Sequence, residues 1–368
     1  MKMNKSLRIF TPVGILSLVL LISLLVVGVS CGGNSSTTAQ TTSTSVKPIT
    51  LVFSTFEPEV SFIWSGFYKP WFADIEQRSN GRVKIETHLS GELLSMSDTY
   101  NGVVQGTVDL GDVFPSMVGN KFPMSEIVNF WSYDKNVAQR GKMFLDLMKS
   151  VPEMQNEYNE VKLLWFGNSF TAGLATAKKP INTLEDLKGT KFTTTGVWCA
   201  ARQKALGMVP VSSPPDALVT NLQTGVIEGM APPLWGLRDM GWGNVLKYMT
   251  LVDIYDGADI LVMNNNTWNK LPTDIQKIFI DTAAEWTDKF DQTCLQLSKD
   301  RLAAAPKEFG IQFTELTKDE QARWAAADKD VINQYAADLN SKGKPGTKFV
   351  SEFLRLENQY SLPTNIFK

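Results

Sequence analysis

The chain reads Lys179-Pro180-Ile181-Asn182-Thr183-Leu184-Glu185-Asp186-Leu187-Lys188-Gly189-Thr190-Lys191 at the head of a stretch that closes on Leu222-Gln223-Thr224-Gly225-Val226-Ile227-Glu228-Gly229. Thr183 is placed to cap a short helix from Leu184 to Lys188, which Gly189 ends because glycine takes the left-handed conformation of helix C-termini. Lys191 to Thr195 is short and rich in β-branched residues, so it predicts a strand. Cys199 to Leu206 has helical spacing, Val209 to Val211 predicts a second strand, and Asp216 to Thr224 a second helix with Gly225 just past its end. Val226-Ile227 then leads into a buried strand. Short strands alternating with helices imply parallel pairing through crossover helices, so this region is one α/β lobe.

Working outward, 368 residues suffice for two lobes, since single cores stop growing near ~250 to 300 residues. The formal net charge is −2. Loss of an N-terminal segment holding Lys2, Lys5 and Arg8 would leave about −5, which does not describe a nucleic-acid surface. Three cysteines and one histidine, without Cys/His spacing, predict neither a zinc site nor a disulfide scaffold. Cys199 and Cys294 fall in separate helices and read as buried free thiols.

Residues 1–30 read as a secretory signal, with an apolar run from Val13 to Val29. The run is long for a cleaved signal and short for a spanning helix, and both fates stay open. Cys31 follows Gly28-Val29-Ser30, which resembles a bacterial lipoprotein processing site with Gly28 where such sites usually carry a leucine-like residue. Residues 31–48 then read as an anchor cysteine and a Ser/Thr-rich tether that cannot bury enough surface to fold. As a coil it would span ~20 Å, or ~50 Å at full stretch.

From Ile49 the pattern predicts a strand to Ser54, a helix ending at Arg78, a strand from Val83 to Glu86, a helix from Ser97 to Gly106 and a strand at Val108 to Leu110. Val161 to Phe166 predicts the last strand before the lobe junction. Apolar residues from Ile275 to Leu297 recur every three or four positions, predicting a helix of ~50 Å between Pro272 and Ala305. Thr317 and Glu320 predict a capping box opening a final long helix to about Leu339. The segment after Gly343-Lys344-Pro345-Gly346 is amphipathic.

Several of these stretches together carry a family resemblance. Lys179-Pro180-Ile181, Leu187-Lys188-Gly189-Thr190-Lys191, Ala205-Leu206-Gly207 and the Leu222 to Gly229 run, with Ser90-Gly91-Glu92-Leu93, Val104 to Asp109 and Leu261 to Asn264 before Trp268, Leu271 and Pro272, stand in the order of the DctP-like family. The chain resembles these solute-binding proteins of tripartite ATP-independent periplasmic (TRAP) transporters from roughly Ile49 to Phe313. The resemblance implies a two-lobed α/β periplasmic-binding-protein architecture spanned by a long helix. Lobe I would comprise 49–170 and about 258–285, and lobe II 171–257 and about 286–368. It also implies capture of a small organic ligand between the lobes, delivery to small and large integral permease subunits, and an extracytoplasmic place, lipid-anchored through Cys31. No cofactor, metal or nucleic acid is expected.

The resemblance also places a site. Members usually clamp a ligand carboxylate with an arginine where this chain has Thr193, and a threonine cannot supply that bidentate pair. A second arginine of some members aligns near Gly173, and a polar residue near Pro232. Phe56 and Phe114 stand at strand ends where members can place Asn or Glu. With Phe170, Thr195, Trp198 and Trp235 beside them, these positions predict an apolar or aromatic ligand body. Arg202 and Arg238 are the two arginines that could restore a carboxylate clamp, and an organic acid so held is the alternative.

Two other classes are weighed. Catalysis is not expected, because His88 has no nucleophile beside it and Glu57 and Glu59 read as solvated loop carboxylates. An anchored extracellular interaction protein would need rigid lobes that do not close.

Overall fold

β-branched and apolar residues from Ile49 onward form the strand β1 (Ile49–Ser54), the seed of the first sheet. The computed structural model of the chain describes residues 47–133, 137–168, 173–252, 254 and 257–362, so the signal, Cys31 and the tether lie outside the described residues. After β1, the helix α1 (Lys69–Arg78) leads to β2 (Val83–His88), and α2 (Thr99–Gln105) leads to β3 (Leu110–Val113). Both strands pair in parallel with β1. The helix α3 (Arg140–Ser150) precedes β4 (Val161–Gly167).

The second sheet follows in chain order: β5 (Gly173–Thr176), α4 (Leu184–Leu187), β6 (Lys191–Thr193), α5 (Val197–Ala205), β7 (Val209–Val211), α6 (Leu218–Thr224), β8 (Gly229–Met230), α7 (Gly236–Asp239) and β9 (Tyr248–Leu251). The chain then returns through β10 (Asp259–Asn264), antiparallel between β3 and β4. It continues as α8 (Asn265–Lys270), α9 (Thr273–Phe309), β11 (Gln312–Glu315), α10 (Lys318–Ser341) and α11 (Gly346–Tyr360). The strand orders are β2-β1-β3-β10-β4 in the first lobe and β11-β9-β5-β8-β6-β7 in the second.

The two long helices tie the lobes together. Ile275, Phe279, Phe290 and Cys294 of α9 lie in the core around β1, whereas Leu302 and Ala305 lie in the core around β9. Its 37 residues span about 55 Å. In α10, Trp324 belongs to the second lobe's core, and Val331, Tyr335 and Leu339 pack with α3 and α11. Cys199 on α5 and Cys294 on α9 are both buried, in separate helices.

Four local readings need correction. The third strand starts at Leu110 rather than Val108, because the Asp109 carboxylate is taken by the Val52 N–H at 2.9 Å and the Thr267 hydroxyl at 2.6 Å, which fixes the lead-in. The second sheet is parallel where β6 meets β7 and β8 and where β11 meets β9, whereas β5 runs against β8 and β9. The strand expected at Val226-Ile227 forms at Gly229–Met230, since the Ile227 N–H is still bonded to the Asn221 carbonyl. The Thr317 hydroxyl does accept from the Glu320 N–H at 3.2 Å, but the Glu320 carboxylate turns to the Leu184 N–H at 2.9 Å and so caps α4 instead.

Candidate functional site

The carboxyl ends of β1 and β3 lie side by side, which is where open α/β sheets hold ligands. Asp112, fully buried on β3, accepts from the Thr55 hydroxyl at 2.8 Å and the Tyr68 hydroxyl at 2.9 Å. Burial pushes its carboxyl up to about 6 against those two donors. Glu57 follows the end of β1 and is only 3% exposed, while Glu59 is exposed. The solvated reading of Glu57 is therefore wrong: its N–H donates to the Thr55 hydroxyl at 3.0 Å and its carbonyl accepts from the Ser90 N–H at 3.0 Å, so the backbone turns the side chain inward. Burial first, then Asp112, push Glu57 up to about 8, with Asp239 adding and a Ser61 hydrogen bond opposing. Its Oε2 has no hydrogen-bond partner.

Phe56 and Phe114, beside these carboxyls, are both half-buried. The tip of the Phe114 ring packs against Gly257, where an added Cβ would fall 1.9 Å from it. Phe170 lies outside the described residues.

In the second lobe, Thr193 is buried at the end of β6 and its carbonyl accepts from Gln203 Nε2 at 2.8 Å. Thr195 is half-buried in the loop that enters α5. Gly173 opens β5 at φ +142°, and a Cβ there would sit 1.8 Å from the Thr250 carbonyl oxygen. No side chain fits that backbone, so this position cannot carry an arginine. Pro232 is buried just before α7.

Trp198 and Arg202 face the first lobe from α5. The Trp198 ring lies 6.1 Å from Phe130 and 5.1 Å from Tyr335. Arg202 is buried; its Nε donates to Asp328 Oδ2 at 2.7 Å, and its Nη1 donates to the carbonyls of Asn129, Trp131 and Ile254. With Phe130, Tyr133 and Asp328 it lines a groove of about 660 Å³ beside α10. Arg238 is exposed and held in a two-pronged pair by Glu308 of α9. Both arginines are thus engaged by carboxylates of the long helices, Asp328 on α10 and Glu308 on α9.

Trp235 stands just before α7 and packs into the first lobe's core, 6.2 Å from Trp242, with its indole N–H unpartnered. One turn on, Asp239 is raised by burial, with Arg301 3.6 Å away and the Phe62 N–H lowering it. Sequence reasoning misses Glu126 as well. It is buried, its Oε2 lies 3.6 Å from where a Cβ on Gly196 would be, and burial pushes it up to about 7 although the Trp198 N–H favours its charged form. The structure thus joins Trp198 and Arg202 to the first lobe at one place, and Trp235 and Asp239 to it at another, near Glu57.

Among the described residues, no group of three or more His, Cys, Asp or Glu side chains is placed to hold a metal ion. No described helix is long and apolar enough to cross a membrane.

Comparison with known proteins gives a consistent picture. Residues 53–338 match the DctP family model, bacterial extracellular solute-binding protein, family 7. The C4-dicarboxylate-binding periplasmic protein DctP of Rhodobacter capsulatus is 22% identical over 73% of this chain and 80% of its own length. A TRAP periplasmic solute-binding protein from Desulfovibrio salexigens, solved in an open complex, is 24% identical with a TM-score of 0.75, over 86% of this chain and 98% of its own. A TRAP solute-binding protein from Rhodoferax ferrireducens, solved with copurified benzoate, is 20% identical with a TM-score of 0.78, over 85% and 98%.

Proposed function

We propose a solute class on the premise that this chain belongs to the DctP family, the family-7 bacterial extracellular solute-binding proteins. It is an extracytoplasmic solute-binding protein of the TRAP type, and its family is made up of transport proteins, not enzymes. Its solute is a small organic molecule with an apolar or aromatic body, held between the lobes without a guanidinium clamp. In this reading Phe56 and Phe114 contact this body from the first lobe, with Thr193, Thr195 and Trp198 opposite.

The observation that supports this reading is the residues at the two places where the family resemblance implies arginine. Thr193 stands at one, and near the other, which some members fill, the backbone at Gly173 leaves no room for a side chain. Arg202 and Arg238 are consumed by Asp328 and Glu308. A bidentate pair contributes a few kcal/mol in a dry pocket, so its loss removes the main preference for a carboxylate.

Solute bridging both lobes shifts the open and closed populations by its preference for the closed form. The closed protein then delivers it to a membrane permease of small and large integral subunits. A lipid on Cys31 would keep the protein at the membrane.

A second reading, an organic acid held by other groups, draws support from the benzoate of the Rhodoferax relative. Native mass spectrometry of the purified protein, before and after mild denaturation, decides between them. A copurified neutral or basic aromatic compound supports the first reading, and a carboxylate overturns it.

A further inference from the structure

The end of β1 carries a polar group that an apolar solute body leaves unused. The Glu57 carboxyl is buried and its Oε2 is unpartnered. Hydrogen bonds on both sides of its backbone, to Thr55 and from Ser90, fix the main chain from which the side chain is buried. A buried acceptor without a donor is costly, and this one stands at the carboxyl end of a strand in an open α/β sheet. The Trp235 indole N–H, on the second lobe's approach to the same core, is also unpartnered.

The surroundings choose the sign of the missing partner. Asp112 on β3 and Asp239 on α7 both act on Glu57, one from each lobe. Tyr68 faces Asp112, and Asp259 acts on Tyr68. Arg301 is 3.6 Å from Asp239, and Arg238 is paired with Glu308. Among the described residues, Arg238 and Arg301 thus face other carboxylates, and the charged groups that act on Glu57, Asp112 and Asp239, are both acidic.

We propose that Glu57 receives the head group of the solute, and that this head group is a cationic hydrogen-bond donor, an ammonium or amidinium. The proposal rests on the reading of the strand ends as the solute site. It inverts the usual pairing of the cleft, with the carboxylate on the protein and the cation on the solute. In the empty cleft Glu57 holds a proton, because burial and its carboxylate neighbours push it up to about 8. When the ammonium enters, that proton leaves to solvent and the charge of the site is unchanged. Binding of an amine therefore tightens as pH rises to about 8. Neither a neutral solute nor a carboxylate bound to the protonated Glu57 tightens in this way as pH rises.

The test is isothermal titration calorimetry of the purified protein with benzylamine, benzyl alcohol and benzoate at pH 6, 7 and 8. Benzylamine is expected to bind about tenfold tighter than benzyl alcohol at pH 8 and to weaken by about tenfold per pH unit toward pH 6. Glu57→Gln removes that preference and leaves benzyl alcohol within about twofold. Should the variant fail to fold, the pH slope of the unaltered protein decides alone. Equal or tighter binding of the alcohol without a slope, or no binding of the amine, overturns the role of Glu57 and leaves the apolar cleft standing. Tightest binding of benzoate overturns both.

Discussion

The indole of Trp198 meets the ring of Tyr335 edge to face with centroids 5.1 Å apart, fastening the start of α5 to the far half of α10. The Tyr335 hydroxyl donates in turn to the carbonyls of Pro123 and Met124, so this aromatic relay is one of the links by which α5 reaches the first lobe. Trp198→Ala empties that contact and costs about 2–3 kcal/mol of stability. Tyr335→Phe keeps the ring and loses the hydroxyl, costing about 1 kcal/mol. Urea denaturation measures both. If Trp198→Ala also lowers the yield of copurified solute at equal folded fraction, the ring touches solute; unchanged yield assigns it to lobe packing alone.

Arg202 and Asp328 form a buried pair, and three backbone carbonyls share the same guanidinium. Removing one partner leaves an uncompensated buried charge, so Arg202→Met or Asp328→Leu costs about 3–5 kcal/mol. Combining the two recovers only part of the loss, because the carbonyls of Asn129, Trp131 and Ile254 stay without their donor. Denaturation of both single variants and the double variant checks this. A double variant as stable as the parent would contradict it.

Gly173 and Gly189 both have positive φ, at +142° and +72°, yet they differ in their space. A Cβ at Gly189 meets nothing within 4 Å, so Gly189→Ala costs only the ~1–2 kcal/mol of a left-handed alanine. At Gly173 the Cβ would overlap the Thr250 carbonyl and part β5 from β9. Gly173→Ala costs more than about 4 kcal/mol or prevents folding. Gly173→Arg does not create a carboxylate site for the same reason. Soluble expression and thermal denaturation of the two alanine variants make the comparison.

These contrasts show which parts of the chain are legible in the sequence. Some local signals suffice: Thr183 before Leu184, the three-and-four spacing of α9, the β-branched run of β1. The site depends on partners far away in the chain. Arg202 reads as a helix-face arginine because Asp328 is 126 residues distant, and Glu57 reads as a loop carboxylate because Asp112 and Asp239 close over it only in three dimensions. The sole local cue for Glu57 is its place between Phe56 and Pro58 at a strand end. Glu320 teaches the same lesson, since its spacing to Thr317 predicts a local cap while a better donor, the Leu184 N–H, arrives from another element.

Asp291 gives the clearest pH dependence. Sitting on α9, it caps α3 from outside, its two oxygens accepting from the N–H groups of Gly141 at 3.2 Å and Lys142 at 3.4 Å. Burial pushes the carboxyl up to about 7 even though these donors and Arg140 favour its charge. Because the folded value lies above the ordinary one, the folded state holds this proton more tightly than the unfolded chain. Its contribution to stability is complete below pH ~4 and is lost as pH rises through about 7, at up to ~1.4 kcal/mol per pH unit. Glu126, also pushed up to about 7, adds a slope of the same sign. Stability is therefore expected to fall between pH 5 and pH 7. Asp291→Asn flattens that fall while keeping an acceptor for α3, whereas Asp291→Ala also removes the cap and costs about 1–2 kcal/mol at every pH. Urea midpoints at pH 5, 6 and 7 for the parent and both variants test the sign. A parent midpoint that rises with pH over this range would mean that the donors on α3 outweigh burial at Asp291.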